Sequence, residues 1–499
     1  MEVNRVDDVY DLLVIGGGIN GVGIAADAAG RGLDVVLCEK GDLAGATSSW
    51  STKLIHGGLR YLEYFQFSLV RKALREREIL TRAAPHLIKP MPFQIPLMAH
   101  SRSSLLLQAG LFIYDNLATS KLYKGSRRIR FDQHGPLNES IKSGFEYWDA
   151  QVDDSRLVIH NAMQARDHGA HILTRSECVD IQPESGHWKV TVRDHLRQRD
   201  LQFNCRVLVN ASGPWVSSLF SQLTHQAPPH EVRLVKGSHI VVPKIYDGKH
   251  AFMLQHHDGR IIFVIPYLGR YSLIGTTEEE FSDDLDNVSI SNKEINYLIS
   301  ITNLYFRKSI LRSDIVYTYA GVRPLIEGGS KSITRASRDY EIELVEDPYP
   351  LLSVYGGKVT TYRVLAETVM NELGSFFPRM RGSWTRRAVL PGGNFELAED
   401  LYRELARKYA WLGPDLIARW QNSYGTLSFD ILKETRSLGD MGVRFGANLY
   451  QREVDYLCTQ EWARTADDIL WRRSKLGYQF SDKEKQSLAN YIQQTYPTD

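Results

Sequence analysis

Leu12 to Ile15 is an unbroken apolar run that ends in Gly16-Gly17-Gly18-Ile19-Asn20-Gly21, and a stretch of small residues, Ile24 to Ala29, follows it. This order predicts a strand, a glycine turn and a helix. Gly30-Arg31-Gly32 stops the helix, and Val35 to Cys38 is a second β-branched run closed by Glu39, which completes a βαβ unit of about 30 residues with parallel strands. The pattern returns after Val152 with a helix over Ser155 to Asp167, a strand at His171 to Thr174, a hairpin from His187 to Asp194 and Leu201 to Cys205, and a strand at Val207 to Asn210. Between Lys236 and Val322 the period changes to two. Arg260 to Pro266 and Tyr271 to Gly275, joined by the turn Tyr267-Leu268-Gly269-Arg270, predict antiparallel sheet. A further strand, Leu351 to Tyr355, meets Gly356-Gly357 and is predicted to open a helix over Lys358 to Leu373, and Pro391-Gly392-Gly393 marks a boundary. Beyond it the chain reads as helical, with Leu397, Leu401 and Leu405 four apart. Thr465 to Asp468 reads as a capping box, with Arg472, Arg473 and Lys475 in the last turn of the helix it starts.

The glycine pattern carries chemistry because of where it falls. Gly16-x-Gly18-x-x-Gly21 follows a strand and opens a helix, and Glu39 ends the next strand eighteen residues past Gly21. Gly16 permits the tight turn, Gly18 lets the backbone approach a pyrophosphate at the helix N-terminus, Gly21 lets the helix pack closely, and Glu39 accepts from ribose hydroxyls. A carboxylate there repels a 2′-phosphate, which disfavours NADP. A nicotinamide enzyme would continue in repeating βα units. Here the chain instead enters Ala44-Gly-Ala-Thr47-Ser48-Ser49-Trp-Ser-Thr52-Lys53, whose hydroxyls suit a second phosphate and a flavin edge. Asn210-Ala-Ser-Gly213-Pro-Trp215 and Gly356-Gly357-Lys358-Val-Thr360-Thr361 repeat the theme of small residues after a strand. Each turn alone is an ordinary connection; three at one sheet edge argue for a long cofactor, FAD. The expected fold class is α/β, a Rossmann-type FAD-binding domain with an inserted antiparallel-sheet substrate domain and a C-terminal helical cap domain. The expected boundaries are 1–85, 150–235 and 331–385 for the discontinuous FAD-binding domain, 86–149 and 236–330 for the substrate and membrane-facing domain, and 390–499 for the helical domain.

Composition narrows the classes without changing this picture. The 499 residues are 43% hydrophobic and 24% charged, which excludes disorder and a polytopic membrane protein. Sixty Lys and Arg against 59 Asp and Glu leave a net charge of +1, so nothing argues for nucleic acid as a partner. Cys38, Cys178, Cys205 and Cys458 lack metal-ligand spacing and read as buried hydrophobes in a reducing compartment, with neither a disulfide framework nor a metal site expected. Met1 to Asp11 is acidic and lacks the features of a secretory signal, so a cytoplasmic start is expected. The longest apolar run, Leu105 to Tyr114, is about half of the roughly 20 residues a membrane span needs. Ser104 to Ala118, followed by Lys121, Lys124, Arg127, Arg128 and Arg130, reads either as an apolar face flanked by cations on anionic lipid or as a core helix beside a basic loop.

Seven segments together resemble the FAD-dependent, respiratory glycerol-3-phosphate dehydrogenase family. They are Ile15 to Gly21, Thr47 to Ser49, Lys53-Leu-Ile-His56-Gly57-Gly-Leu-Arg60-Tyr61-Leu62, Lys236-Gly-Ser-His239, Ile274-Gly-Thr-Thr277, Gly321-Val-Arg323-Pro324 and Gly356 to Arg363. Trp462 to Arg473 resembles the family's helical cap, so the likeness spans nearly the whole chain. The resemblance implies oxidation of sn-glycerol 3-phosphate to dihydroxyacetone phosphate, with electrons passing through FAD to a membrane quinone in glycerol catabolism and respiration. It also implies a peripheral place on the cytoplasmic face of the inner membrane, and it leaves a homodimer open.

Such a reaction needs cations for the phosphate, a base for the hydroxyl proton and a path to the flavin. Arg60 and Arg323 within the matching motifs, and Arg338 beyond them, offer planar forks, Lys358 sits at a helix start, and Tyr61 joins Arg60, Arg323, Arg338 and Lys358 in the implied substrate set. Arg323 lies between apolar neighbours, where an anionic ligand accounts for its charge. His239 is the first choice for general base, and His56, expected along the flavin, is the second. The implied catalytic set is therefore His239, Arg323, Lys358 and Arg60. The implied cofactor set is Gly16, Gly18, Gly21, Glu39, Thr47, Ser48, Ser49, Thr52, His56, Gly57, Gly213, Gly357 and Thr360. Glu278 stands where many relatives have Asp, and His256-His257 precede Asp258 where the family is often less basic. The alternatives are an amine or amino-acid type of flavin oxidase using oxygen, disfavoured by the arginines, and a flavin-bearing scaffold without catalysis.

Overall fold

The computed structural model describes residues 9–98, 103–118, 120–326 and 340–497. Among the described residues, two large mixed sheets are followed by a mainly helical C-terminal region that holds a small two-stranded sheet. The helices that matter for the site are α1 (Ile19–Gly30), α2 (Phe67–Ala83), α3 (Ser104–Leu117), α4 (Asp154–Asp167) and α5 (Tyr362–Glu372).

The first sheet is built on the predicted βαβ unit. Val9–Ile15 pairs in parallel with Val35–Glu39 on one side and with Arg199–Asn210 on the other. His171–Thr174 extends one flank and Leu351–Tyr355 the other, both parallel, and Glu341–Val345 closes the second edge antiparallel. Five of these six strands come from segments read as strands in the sequence, and Glu341–Val345 is the addition. The hairpin reading needs one correction: Leu201 to Cys205 and Val207 to Asn210 are a single strand, Arg199–Asn210. Arg206 does not interrupt it, because its side chain points to solvent toward Asp11 while Cys205 and Val207 stay in the core. α1 is packed between the sheet, α4 and α5, and a belt of fully buried alanines and valines makes that approach close.

The second sheet runs in the order Glu279–Glu280, Val232–Pro243, Tyr271–Gly275, Ile261–Tyr267, Ala251–Gln255, Ile88–Pro96, Ser143–Val152 and Leu54–Ile55. Tyr317–Ile326 pairs with the other edge of Val232–Pro243 over ten register positions. The predicted hairpin is present, and Leu268 and Gly269 carry the positive φ values, 49° and 71°, that its tight turn needs. One junction departs from the antiparallel expectation: Ala251–Gln255 and Ile88–Pro96 pair in parallel, because segments distant in sequence meet there.

The C-terminal region is mainly helical over its own core, centred on Trp420 and Tyr424. The Thr465–Asp468 capping box is present, with Thr465 N donating to the Asp468 carboxylate at 2.9 Å and Asp468 N to Thr465 Oγ1 at 3.2 Å. Two details differ from expectation. The turns after it are π-helical, closed by Ser474 N donating to Ile469 O at 2.8 Å. Arg472 and Arg473 do not serve the helix end either; both reach the buried Asp42, just after the second strand of the first sheet. The helix expected from Lys358 begins at Tyr362, after a 3₁₀ turn over Val359–Thr361. All four cysteines are buried free thiols. Among the described residues no helix is long and apolar enough to cross a membrane. α3 has two faces: Leu107, Leu111 and Tyr114 are buried, while Leu105, Leu106 and Phe112 are 78%, 62% and 68% exposed.

Candidate active site

The glycine turn is packed too closely to admit side chains. A Cβ on Gly16, whose φ is +114°, would lie 2.6 Å from Ala211 O, and one on Gly21 would lie 1.9 Å from Gly16 O. A Cβ on Gly18 would meet Ser48 Oγ at 3.2 Å. Ser48 Oγ itself accepts from Ile19 N at 2.9 Å, so the hydroxyl loop is tied to the first turn of α1. Glu39 organises the turn from the other side, accepting from Gly17 N and Gly41 N, each at 2.7 Å. Burial raises the Glu39 pKa, against the pull of the Gly41 and Gly17 amides. A carboxylate has about four acceptor sites, so two remain for ribose hydroxyls.

The loop from Ala44 to Gly58 joins the two sheets. Thr47 Oγ1 donates to Val322 O at 2.7 Å, Ser49 Oγ to Ala46 O at 3.2 Å, and Thr52 Oγ1 lies 3.1 Å from His239 Nε2. His56 N donates to Thr360 Oγ1 at 3.3 Å, which joins this loop to the turn before α5. Gly57 N is engaged by Tyr114 Oη at 2.9 Å, so this residue couples the loop to α3. Gly213, with φ of +61°, has open space where a side chain would be. Gly357, with φ of +101°, approaches Asn20, whose Nδ2 donates to Gly356 O at 3.2 Å. The three strand-end turns noted in the sequence therefore converge around the start of α1.

His239 lies on Val232–Pro243, opposite Gly275 on one neighbour and Tyr319 on the other. Its ring stacks on Tyr319, with centroids 4.7 Å apart and planes 20° off parallel. Nδ1 is buried with no hydrogen-bond partner among the described residues. Burial first, then the Arg323 and Lys53 cations, push the His239 pKa well below its ordinary value, so the imidazole is neutral. Arg323 is half-buried on Tyr317–Ile326, and its terminal nitrogen would lie 3.1 Å from a Cβ on Gly237. The Lys236–His239, Ile274–Thr277 and Gly321–Pro324 motifs thus lie side by side on three adjacent strands. Lys358 Nζ sits 4.1 Å over the Tyr61 ring, in the turn adjoining Arg60, whose Nε is buried without a partner. Arg338 lies outside the described residues.

Two residues beneath His239 were not singled out from the sequence. Lys53 Nζ is held by Asp154 at 2.8 and 3.0 Å and by Ser49 O at 2.9 Å, and it lies 5.3 Å from the Tyr319 ring. Asp154 also accepts from Ser51 Oγ at 2.7 Å and Ser155 N at 2.9 Å. The available signals were a lysine among small hydroxyl residues and paired aspartates at a helix start, of which the second reads as a cap. Asp153 does cap α4, through Arg156 N at 3.2 Å, and Lys475 Nζ meets it at 3.0 Å, which fastens the C-terminal region to the base of the site.

Comparison with known proteins identifies the family. Residues 11–363 match the model of the FAD-dependent oxidoreductases, and residues 383–495 match the C-terminal domain of alpha-glycerophosphate oxidase. A glycerol-3-phosphate dehydrogenase of Pseudomonas aeruginosa is 48% identical over 98% of this chain and 96% of its own. The chain belongs to the FAD-dependent glycerol-3-phosphate dehydrogenase family. A member of the same group, the D-erythritol 1-phosphate dehydrogenase of Brucella abortus, is 44% identical over 97% of this chain and 98% of its own. The crystal structure of the glycerol-3-phosphate dehydrogenase of Bacillus halodurans with FAD is similar at a TM-score of 0.73 and 26% identity, covering 99% of this chain and 96% of that one. The FAD that this family carries fits the groups present. The glycine turn admits no side chain over its amides, and Asn20 Oδ1, Arg60 Nε and His239 Nδ1 are buried polar atoms without a partner among the described residues.

Proposed function

We propose that the chain oxidises sn-glycerol 3-phosphate to dihydroxyacetone phosphate and delivers the electrons to a membrane quinone. The observation that carries this reading is the place of His239, stacked on Tyr319 with a buried Nδ1 that has no partner among the described residues, where burial and the Arg323 and Lys53 cations push its pKa well below the ordinary value. A base that must take the proton of a secondary hydroxyl has to be unprotonated at working pH, and burial beside two positive charges keeps the imidazole so. Arg323 and Lys53 also favour negative charge developing on the substrate oxygen. The guanidinium groups of Arg60, Arg323 and Arg338 and the ammonium of Lys358 bind the phosphate, and the Tyr61 ring holds Lys358 in place. Gly16, Gly18, Gly21, Glu39, Ser48, Gly213 and Gly357 hold the cofactor, and Thr47, Ser49, Thr52, His56, Gly57 and Thr360 shape the loop over it. Bound FAD supplies the acceptor for the two electrons.

The outward face of α3 and the exposed cations Lys121, Lys124, Arg127, Arg128 and Arg130 support a peripheral position on the cytoplasmic face of an anionic membrane, where quinone is dissolved. A second substrate reading has one observation in its favour, the 44% identical D-erythritol 1-phosphate dehydrogenase. Both substrates are phosphomonoesters of polyols, so the same cations serve either.

The test is anaerobic addition of sn-glycerol 3-phosphate, D-erythritol 1-phosphate, glycerol and lactate to the flavin-loaded protein, followed by a short-chain quinone or oxygen. Bleaching by glycerol 3-phosphate at the lowest concentration, with reoxidation by quinone and little peroxide, is the expected result. Stronger bleaching by D-erythritol 1-phosphate would reassign the substrate. Fast peroxide formation would reassign the acceptor.

A further inference from the structure

The C-terminal region reaches the back of the site with one short segment, Trp471 to Tyr478. The Trp471 ring stacks on Tyr317, with centroids 4.5 Å apart and planes 16° off parallel. Tyr478 lies edge-on to Tyr317 and Tyr267, at 5.4 and 5.9 Å. Tyr317 and Tyr319 are two apart on one strand and so share a face, and Tyr319 is the ring on which His239 stacks. The backbone of the segment is shaped for this reach. It leaves the π-helical turns of Asp468–Arg473, Lys475 takes a left-handed φ of +58°, and Gly477 passes so close to Trp471 that a Cβ would meet its ring at 2.7 Å. A lysine is strained in that conformation, and such strain persists where surrounding contacts fix it.

The strained turn buries the Lys475 ammonium. Lys475 is 6% exposed, and its Nζ donates to Asp153 at 3.0 Å and to Ser155 Oγ. The next residue after Asp153 is Asp154, which holds Lys53 Nζ at 2.8 Å and accepts from Ser51 Oγ at 2.7 Å. Between Ser51 and Lys53 lies Thr52, whose hydroxyl meets His239 Nε2 at 3.1 Å. Two lysines and two aspartates thus lead from the C-terminal region to the imidazole. The charged groups that face His239 are Arg323 and Lys53, and those that face Lys475 are Asp153, Asp154 and Lys53. A clamp between two parts of the chain does not need a lysine buried beside another lysine, because apolar packing serves as well. The Arg156–Glu461 pair already supplies a buried bridge from α4 to the same region.

We propose that Lys475 is a positioning residue for His239, acting through Asp153, Asp154 and the Ser51–Lys53 segment, so that the C-terminal region supports the chemistry of the site. The proposal rests on the reading of His239 as the base. Its electrostatic consequence is that the Lys475 cation disfavours the imidazolium, while Asp153 favours it.

The experiment follows anaerobic reduction of the FAD-loaded enzyme by saturating sn-glycerol 3-phosphate in stopped flow, from acid to neutral pH. Lys475→Met is expected to raise the pH at which reduction slows by about one unit, with KM unchanged. Lys475→Arg should keep the wild-type profile. Asp153→Asn, which retains the cap of α4, should move the profile the other way, and Lys475→Met/Asp153→Asn should lie near wild type. Glu461→Gln, at the other bridge, should lower the melting temperature without moving the profile. Should Lys475→Met not fold, Asp153→Asn and Lys475→Arg carry the test. A profile unmoved in Lys475→Met or Asp153→Asn would overturn the proposal and leave Lys475 a clamp. A double variant as shifted as Lys475→Met, or an equal shift in Glu461→Gln, would overturn it in favour of loosened packing. An acid limb that survives in His239→Ala would instead remove the base reading, and the proposal with it.

Discussion

Replacing Lys53 by methionine keeps most of the side chain's volume and removes one charge from a pair whose side chains are 5% and 0% exposed. Asp154 would keep its bonds from Ser51 and Ser155 but lose both contacts to Nζ, and Ser49 O would lose its donor. Leaving one partner of a buried ion pair uncompensated costs about 3–5 kcal/mol. The variant should therefore unfold at clearly lower guanidinium concentration, with flavin release and tryptophan fluorescence as readouts. Asp154→Asn in the same background removes the stranded charge and should recover at least half of the loss. Lys53 is also one of the causes that keep His239 neutral, so in the single variant the pH below which flavin reduction slows should move upward. A single variant within about 1 kcal/mol of wild type, or a double variant no better than the single, would show that the pair is not a buried charge pair in solution and would refute the reasoning.

Other consequences are equally direct. His239→Ala should slow flavin reduction by roughly 10²- to 10⁴-fold with the oxidised spectrum intact; an unchanged rate in stopped flow moves the base elsewhere. Gly21→Ala should yield protein without flavin absorption, since its Cβ would lie 1.9 Å from Gly16 O; a variant isolated with stoichiometric FAD contradicts the cradle. His86, His160 and His239 all have pKa values pushed well below the ordinary value, chiefly by burial. Below about pH 6.5 the unfolded chain therefore binds more protons than the folded one, and stability, complete above that pH, falls by up to about 1.4 kcal/mol per pH unit for each histidine. Thermal melts across this range should show the decline, and a flat profile would mean that these imidazoles are solvated.

The parts of the molecule legible in the sequence are those whose physics is local. Strand, glycine turn, helix and terminal acid of the first βαβ unit follow from residues within about 30 positions of one another, because steric demand and hydrophobic period act at that range. The Leu268-Gly269 turn and the Thr465–Asp468 capping box were readable for the same reason. His239 was legible only as a member of a motif; its neutrality depends on Tyr319, Arg323 and Lys53, which come from separate strands and loops. The continuity of Arg199–Asn210 through Arg206 was hidden because a charged residue looks like a break until the facing surface is known to be solvent. Arg472 and Arg473 looked like helix-end charges and prove to be partners of Asp42, some 430 positions earlier. The sequence by itself determined the strand, glycine turn and helix of the first βαβ unit and the hairpin of the second sheet. Which charges meet in the interior was decided only by the tertiary structure, because a buried ion takes whichever opposite charge the packing of distant segments brings within reach.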